Sequence, residues 1–88
     1  MRLGVVGCGR ITERGYVPAA LAAEGVAIAA FADPNAERLE LCRDLWREGG
    51  EEASGYPDLT SLLKAEPVDL VAEFAAQVEE GQLLLTLR

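Results

Sequence analysis

Gly7, Cys8 and Gly9 follow an apolar run (Leu3, Val5, Val6) and lead at once into helix-like sequence. That order admits two readings. Two glycines one residue apart can be a tight strand-to-helix turn and nothing more. They can also form a phosphate cradle. Gly7 then permits the turn, Gly9 lets an anion approach the backbone for want of a Cβ, and the helix start offers unpaired N–H groups with a partial positive charge. A dinucleotide suits that chemistry. A second residue supports it. Dinucleotide-binding βαβ units carry an acidic side chain about 20 residues further on, where it accepts hydrogen bonds from ribose hydroxyls. Asp33 closes the run VAIAAFAD at that place. A carboxylate there repels a 2′-phosphate, so NAD is favoured over NADP. The competing reading makes Asp33 the N-cap of the next helix, with Pro34 at the first helical position. The third position of the glycine fingerprint, normally Gly or Ala for close helix–strand packing, is Thr12.

Other reactive side chains offer less. Cys8 reads as a small loop residue rather than a nucleophile, since nothing basic is assigned beside it. The sequence has no His and no Cys-x-x-Cys, which argues against a zinc site. Glu51-Glu52 and Glu79-Glu80 read as solvated faces, and no general acid or base stands out. Trp46 reads as core.

The elements that must position these residues follow from patterning. Arg2–Val6 is a short buried strand. The stretch 11–24 is helical, and Gly15 and Pro18 predict a kink or a second helix start with Pro18 in its first turn. Gly25 suits a left-handed helix end. Val26–Ala32 is apolar at every residue, the pattern of a parallel strand covered on both faces. Residues 35–48 form an amphipathic helix with Leu39, Cys42, Leu45 and Trp46 on one face, ended by Gly49-Gly50. Further strands are expected at 53–56, 68–71 and 82–87, with helices at 59–65 (Asp58 as N-cap) and 73–80. The alternation predicts an α/β fold, a Rossmann-like doubly wound parallel sheet of about five strands with helices on both faces. Such sheets take ligands beyond the carboxyl ends of their strands, where strand order reverses.

Composition sets outer bounds. Eighty-eight residues make one small domain, and half of them are apolar, which fits a globular core. The net charge of −7, with seven scattered Arg and the single Lys64, argues against a nucleic-acid surface. The run 26–32 is far shorter than a membrane span of about 20 residues. No signal peptide is read at the start, and a reduced, cytoplasmic setting is the expectation.

With these residues in place, the sequence resembles the glucose–fructose oxidoreductase, inositol dehydrogenase and rhizopine-catabolism family (Gfo/Idh/MocA), specifically its N-terminal NAD(P)-binding domain. The resemblance covers nearly the whole chain. It is carried by RLGVVGCGRIT, YVPAALAAEGV, ADPNAERL, YPDLTSLLKAEPVDLV and EEGQLLL in that order. It implies that Gly7, Cys8, Gly9, Arg10 and Ile11 wrap the pyrophosphate and that Asp33 holds the adenosine ribose. The implied reaction is hydride transfer between a nicotinamide cofactor and a hydroxyl carbon of a sugar or cyclitol.

Two departures from the family pattern bear on activity. Family members follow the fourth strand with an A-[TS]-P-like stretch and a loop, whereas VDLV here runs straight into AEFAAQVEEG, as though about eight residues were missing. The sequence leaves about one residue for a turn that ordinarily takes two to six. The family's Glu-Lys-Pro motif after the fifth strand, whose Lys serves catalysis, is also absent. Leu87 falls at the Glu position and Arg88 at the Lys position, and Arg cannot act as an acid or base. The chain therefore reads as a truncated dinucleotide-binding domain with no substrate domain, inactive by itself. The alternatives are a free-standing adenine-nucleotide-binding module and a fragment without function. An apolar C-terminal strand with nothing after it predicts self-association.

Overall fold

A computed structural model describes residues 1–73 and 84–87. Five strands form one sheet: β1 (Arg2–Val6), β2 (Ala27–Ala32), β3 (Ser54–Tyr56), β4 (Leu70–Glu73) and β5 (Leu84–Leu87). Between them lie α1 (Val17–Ala22), α2 (Ala36–Arg47) and α3 (Leu59–Ala65). The strand order is β3-β2-β1-β4-β5. β1 to β4 are mutually parallel, so their carboxyl ends share one edge of the sheet. This is the α/β, doubly wound arrangement the alternation predicts. The order reverses at β1, whose neighbours are β2 on one side and β4 on the other.

Each face of the sheet has its own core. Leu3, Val5, Ile28 and Phe31 pack with Val17 and Ala20 of α1 and with Cys42 and Trp46 of α2. On the other face Ala30, Ala32 and Val71 pack with Leu62 of α3 and with Val68. Helices thus cover both faces, which is why Ala27–Ala32 can be apolar throughout. The pairing register slips between Leu3 and Gly4, leaving Ala29 as an extra residue in β2. That bulge lets Ile28 and Phe31, three apart, reach the same core.

Local signals set the helix ends. Asn35 is the N-cap of α2, its side-chain oxygen accepting from the N–H groups of Glu37 and Arg38. Asp58 caps α3 by accepting from Ser61 N–H at 2.8 Å, as its position predicts. The chain is helical from residue 10, but Thr12–Tyr16 is a π-helical turn and α-helical bonding returns only at α1. Pro18 explains the widening. Its ring would clash with the carbonyl one α-turn back, and it has no N–H to donate there. Val17 N–H instead bonds Thr12 C=O five residues earlier. The expected kink is therefore a local change of helical pitch, with Pro18 in the first turn of α1.

The end of the chain departs from the expected all-parallel sheet. β5 pairs antiparallel with β4. A parallel return needs a crossover of about a dozen residues, and only ten separate Glu73 from Leu84. Glu73, expected to begin a helix, is the last residue of β4. The rest of that expected helix lies outside the described residues.

The outer strand β3 is tied down by Glu66, which gives a pH dependence. Its carboxylate accepts from Tyr56 Oη at 2.7 Å and pairs with Arg2 at 3.5 Å. Hydrogen bonds from Ser54 and Tyr56 hold the Glu66 pKa below the usual carboxylate range. A group lowered on folding stabilises the fold above its unfolded pKa, and that contribution is lost as pH falls through the folded value. Thermal unfolding should therefore show a falling midpoint on acidification below the ordinary Glu range, and the fall should be smaller in Glu66→Gln.

Candidate functional site

The carboxyl ends of β1 and β2 bring the two sequence-predicted features together. Gly7 leaves β1 with φ of +99°, a conformation that side-chain-bearing residues adopt only with strain. Its N–H donates to Ala32 C=O at 2.8 Å, carrying the β1–β2 pairing one residue beyond the strand. Gly9 lies at the point where the chain turns into the helix. A Cβ built on it meets no protein atom within 4 Å. The space above this backbone is open, and the glycine is not required by any protein neighbour.

Arg10 and Ile11 open the helix. The first N–H groups of any helix lack intrahelical acceptors, and those of this helix face the same edge of the sheet as the loop. Glu13 N–H donates to Gly9 C=O at 3.0 Å, closing the first turn.

Asp33 does not cap α2, because Asn35 does. Its carboxylate points back to the glycine loop. One oxygen accepts from Cys8 N–H and the other from Asn35 N–H, both at 2.7 Å. The Asp33 main-chain N–H donates to Tyr56 C=O. Each carboxylate oxygen has two lone-pair sites, so one on each oxygen is left for a further donor. The acid is thus fixed in orientation and still able to accept from a pair of hydroxyls.

Thr12 resolves the departure from the glycine fingerprint. It is fully buried, and its hydroxyl donates to Gly7 C=O at 2.6 Å. A buried hydroxyl needs such a partner, and this one also ties the helix to the turn. Thr12→Val keeps the shape and removes the donor, leaving the Gly7 carbonyl short of a partner. Urea unfolding should show a loss of about 1–2 kcal/mol.

Cys8 is completely buried among core residues that include Cys42. The neighbouring Cys42 thiol and burial push the Cys8 thiol far above its ordinary range. Its side chain lies in the core, and the sequence expectation that nothing basic stands beside it is corrected by Arg38, which reaches the Cys8 main-chain carbonyl. Trp46 is core as well.

One residue near the loop was not apparent from the sequence. Arg38, on the first turn of α2, donates from Nε to Cys8 C=O at 2.7 Å and from Nη2 to the Glu13 carboxylate at 2.8 Å. Glu13 raises the pKa of the Arg38 guanidinium further. Its only signal in the sequence is a position three residues after the N-cap. Among the described residues no group of three His, Cys, Asp or Glu side chains is placed to hold a metal ion, and no helix is long and apolar enough to cross a membrane.

No family model matches the sequence, and no curated protein matches it. Solved structures do. A dehydrogenase from Chromobacterium violaceum superposes with a TM-score of 0.71 at 21% identity, over 85% of this chain and 21% of that one. The Y186F mutant of KijD10, a 3-ketoreductase from Actinomadura kijaniata in complex with TDP-benzene and NADP, superposes with a TM-score of 0.62 at 27% identity, over 81% of this chain and 20% of that one. The chain thus spans about a fifth of the length of these structures. They establish a Rossmann-like fold.

Proposed function

We propose that these residues form the nicotinamide-dinucleotide-binding domain of an oxidoreductase related to the sugar and cyclitol dehydrogenases. The observation that carries this reading is the joining of the glycine loop to Asp33. A diphosphate and a ribose are adjacent parts of one dinucleotide, and here the group suited to each is held at one sheet edge by a direct hydrogen bond. The open space over Gly9 is where a Cβ would obstruct a phosphate. The similarity to a ketoreductase solved with NADP supports the cofactor class. Of the five loop residues Gly7, Cys8, Gly9, Arg10 and Ile11, the last three bring their N–H groups to the diphosphate, Gly7 and Cys8 shape the turn through their own bonds to Ala32, Asp33 and Arg38, and Asp33 takes the adenosine ribose. The carboxylate at Asp33 favours NAD over NADP. The nicotinamide supplies hydride chemistry when bound. The residues named here bind and orient it, and no catalytic step is assigned to them.

A two-dimensional amide spectrum with and without NADH tests this. Dispersed peaks with shifts at Gly7–Ile11 and Asp33 are expected. A dispersed spectrum that ignores millimolar NADH overturns the reading. The outer position of β5 in the sheet further supports pairing of that strand with a second copy of the chain. Sedimentation should show mean mass rising with concentration, and a constant monomer mass would count against it.

A further inference from the structure

Both main-chain polar groups of Cys8 are held by the segment that follows β2. Its N–H goes to the Asp33 carboxylate, and its C=O receives the Arg38 guanidinium. The segment is itself closed by hydrogen bonds: Asp33 accepts from Asn35 N–H, and Asn35 accepts from Arg38 N–H. A ring of contacts therefore runs from Cys8 through Asp33, Asn35 and Arg38 back to Cys8. The Cys8–Gly9 peptide is trans, so its C=O and its N–H point in opposite directions. Fixing the Cys8 carbonyl on Arg38 turns the Gly9 N–H away from α2. The second arm of Arg38 holds Glu13, whose own N–H bonds Gly9 C=O. Both peptide units that flank Gly9 are thereby constrained.

Taking the dinucleotide reading as its basis, we propose that Arg38 is a positioning residue, which sets the glycine loop so that the Gly9 N–H is aimed at a diphosphate. Arg38 acts through the loop. Lysine cannot replace it, because a single ammonium lacks the planar fork that reaches the carbonyl and the carboxylate together.

The test compares ADP-ribose with adenosine, which has no phosphate, by amide-shift titration of the full chain. Arg38→Gln should weaken ADP-ribose by roughly tenfold and leave adenosine unchanged. Arg38→Lys should not restore ADP-ribose affinity. Glu13→Gln keeps the contact with Cys8 and removes the negative charge that strengthens the hold on the second arm of the guanidinium, so roughly a threefold loss specific to ADP-ribose is expected. This second variant carries the test if Arg38→Gln does not fold. Three results overturn the proposal: wild-type ADP-ribose affinity in the variants, full rescue by lysine, or equal loss of both ligands. Wild-type protein that binds neither ligand overturns the dinucleotide reading itself, whereas wild-type binding that the variants retain overturns only the role of Arg38.

Discussion

Gly9→Val should leave the fold intact and abolish most of the affinity for NADH. The two halves of that expectation rest on separate observations. A Cβ at Gly9 meets no protein atom within 4 Å, and the residue does not have the positive φ of Gly7. Neither packing nor backbone strain opposes the change, so the thermal midpoint should stay within about 2 °C of wild type, a shift worth under ~1 kcal/mol for a domain this small. The valine methyls instead fill the space a phosphate would enter, and binding should fall by at least roughly tenfold. Gly7 gives the contrasting case. Its φ of +99° makes Gly7→Ala a stability variant, at a cost of about 1–3 kcal/mol. Calorimetric titration with NADH, paired with thermal melts, separates the two effects. A Gly9→Val protein that binds NADH normally would mean that the loop is a turn and no cradle.

The second large effect is expected at Asp33. In Asp33→Asn one acceptor oxygen becomes an NH₂ group, which must then face a backbone N–H, either of Cys8 or of Asn35. Two donors opposed in a half-buried site should cost about 1–3 kcal/mol of stability. The same change removes the negative charge that repels a 2′-phosphate and one of the acceptors open to ribose hydroxyls. NADH affinity should fall while NADPH affinity falls less or rises. The decisive quantity is the ratio of the two dissociation constants, since partial unfolding of the variant cancels from it. That ratio should move toward NADPH by roughly tenfold. An unchanged ratio would show that Asp33 serves the loop and not the ribose.

The difference between what could and could not be read in the sequence is physical. The strand, glycine loop and helix start were legible because apolar patterning and glycine chemistry are local. Asp33 was legible because its spacing from the glycines follows from the length of one βαβ unit. Its bonds to Cys8 and Asn35 were not, since a carboxylate before a proline serves equally well as a cap, and only the placement of Asn35 decides between them. Arg38 was invisible for a related reason. Its partner Cys8 lies 30 residues away, and nothing in the residues around either one specifies that contact. Thr12 read as a defect in the fingerprint because its hydroxyl had no visible partner until Gly7 C=O was placed beside it. The direction of β5 depended on the short span after Glu73. In the sequence that span reads only as residues missing relative to a family pattern, because strand direction depends on whether a crossover can fit between β4 and β5.

The placement of β1 between β2 and β4 bears on how the chain is made. Of the described strands, the earliest in sequence is the middle strand of the sheet. It can pair with β2 once residue 32 has emerged, but its other edge must wait for Leu70–Glu73. At about 5–20 residues per second, the intervening stretch of about 40 residues takes roughly 2–8 s to synthesise. Throughout that interval a nascent β1–β2 pair presents an apolar, open edge. A chaperone that binds extended apolar segments would meet this chain early, and the point at which it lets go should coincide with the emergence of β4.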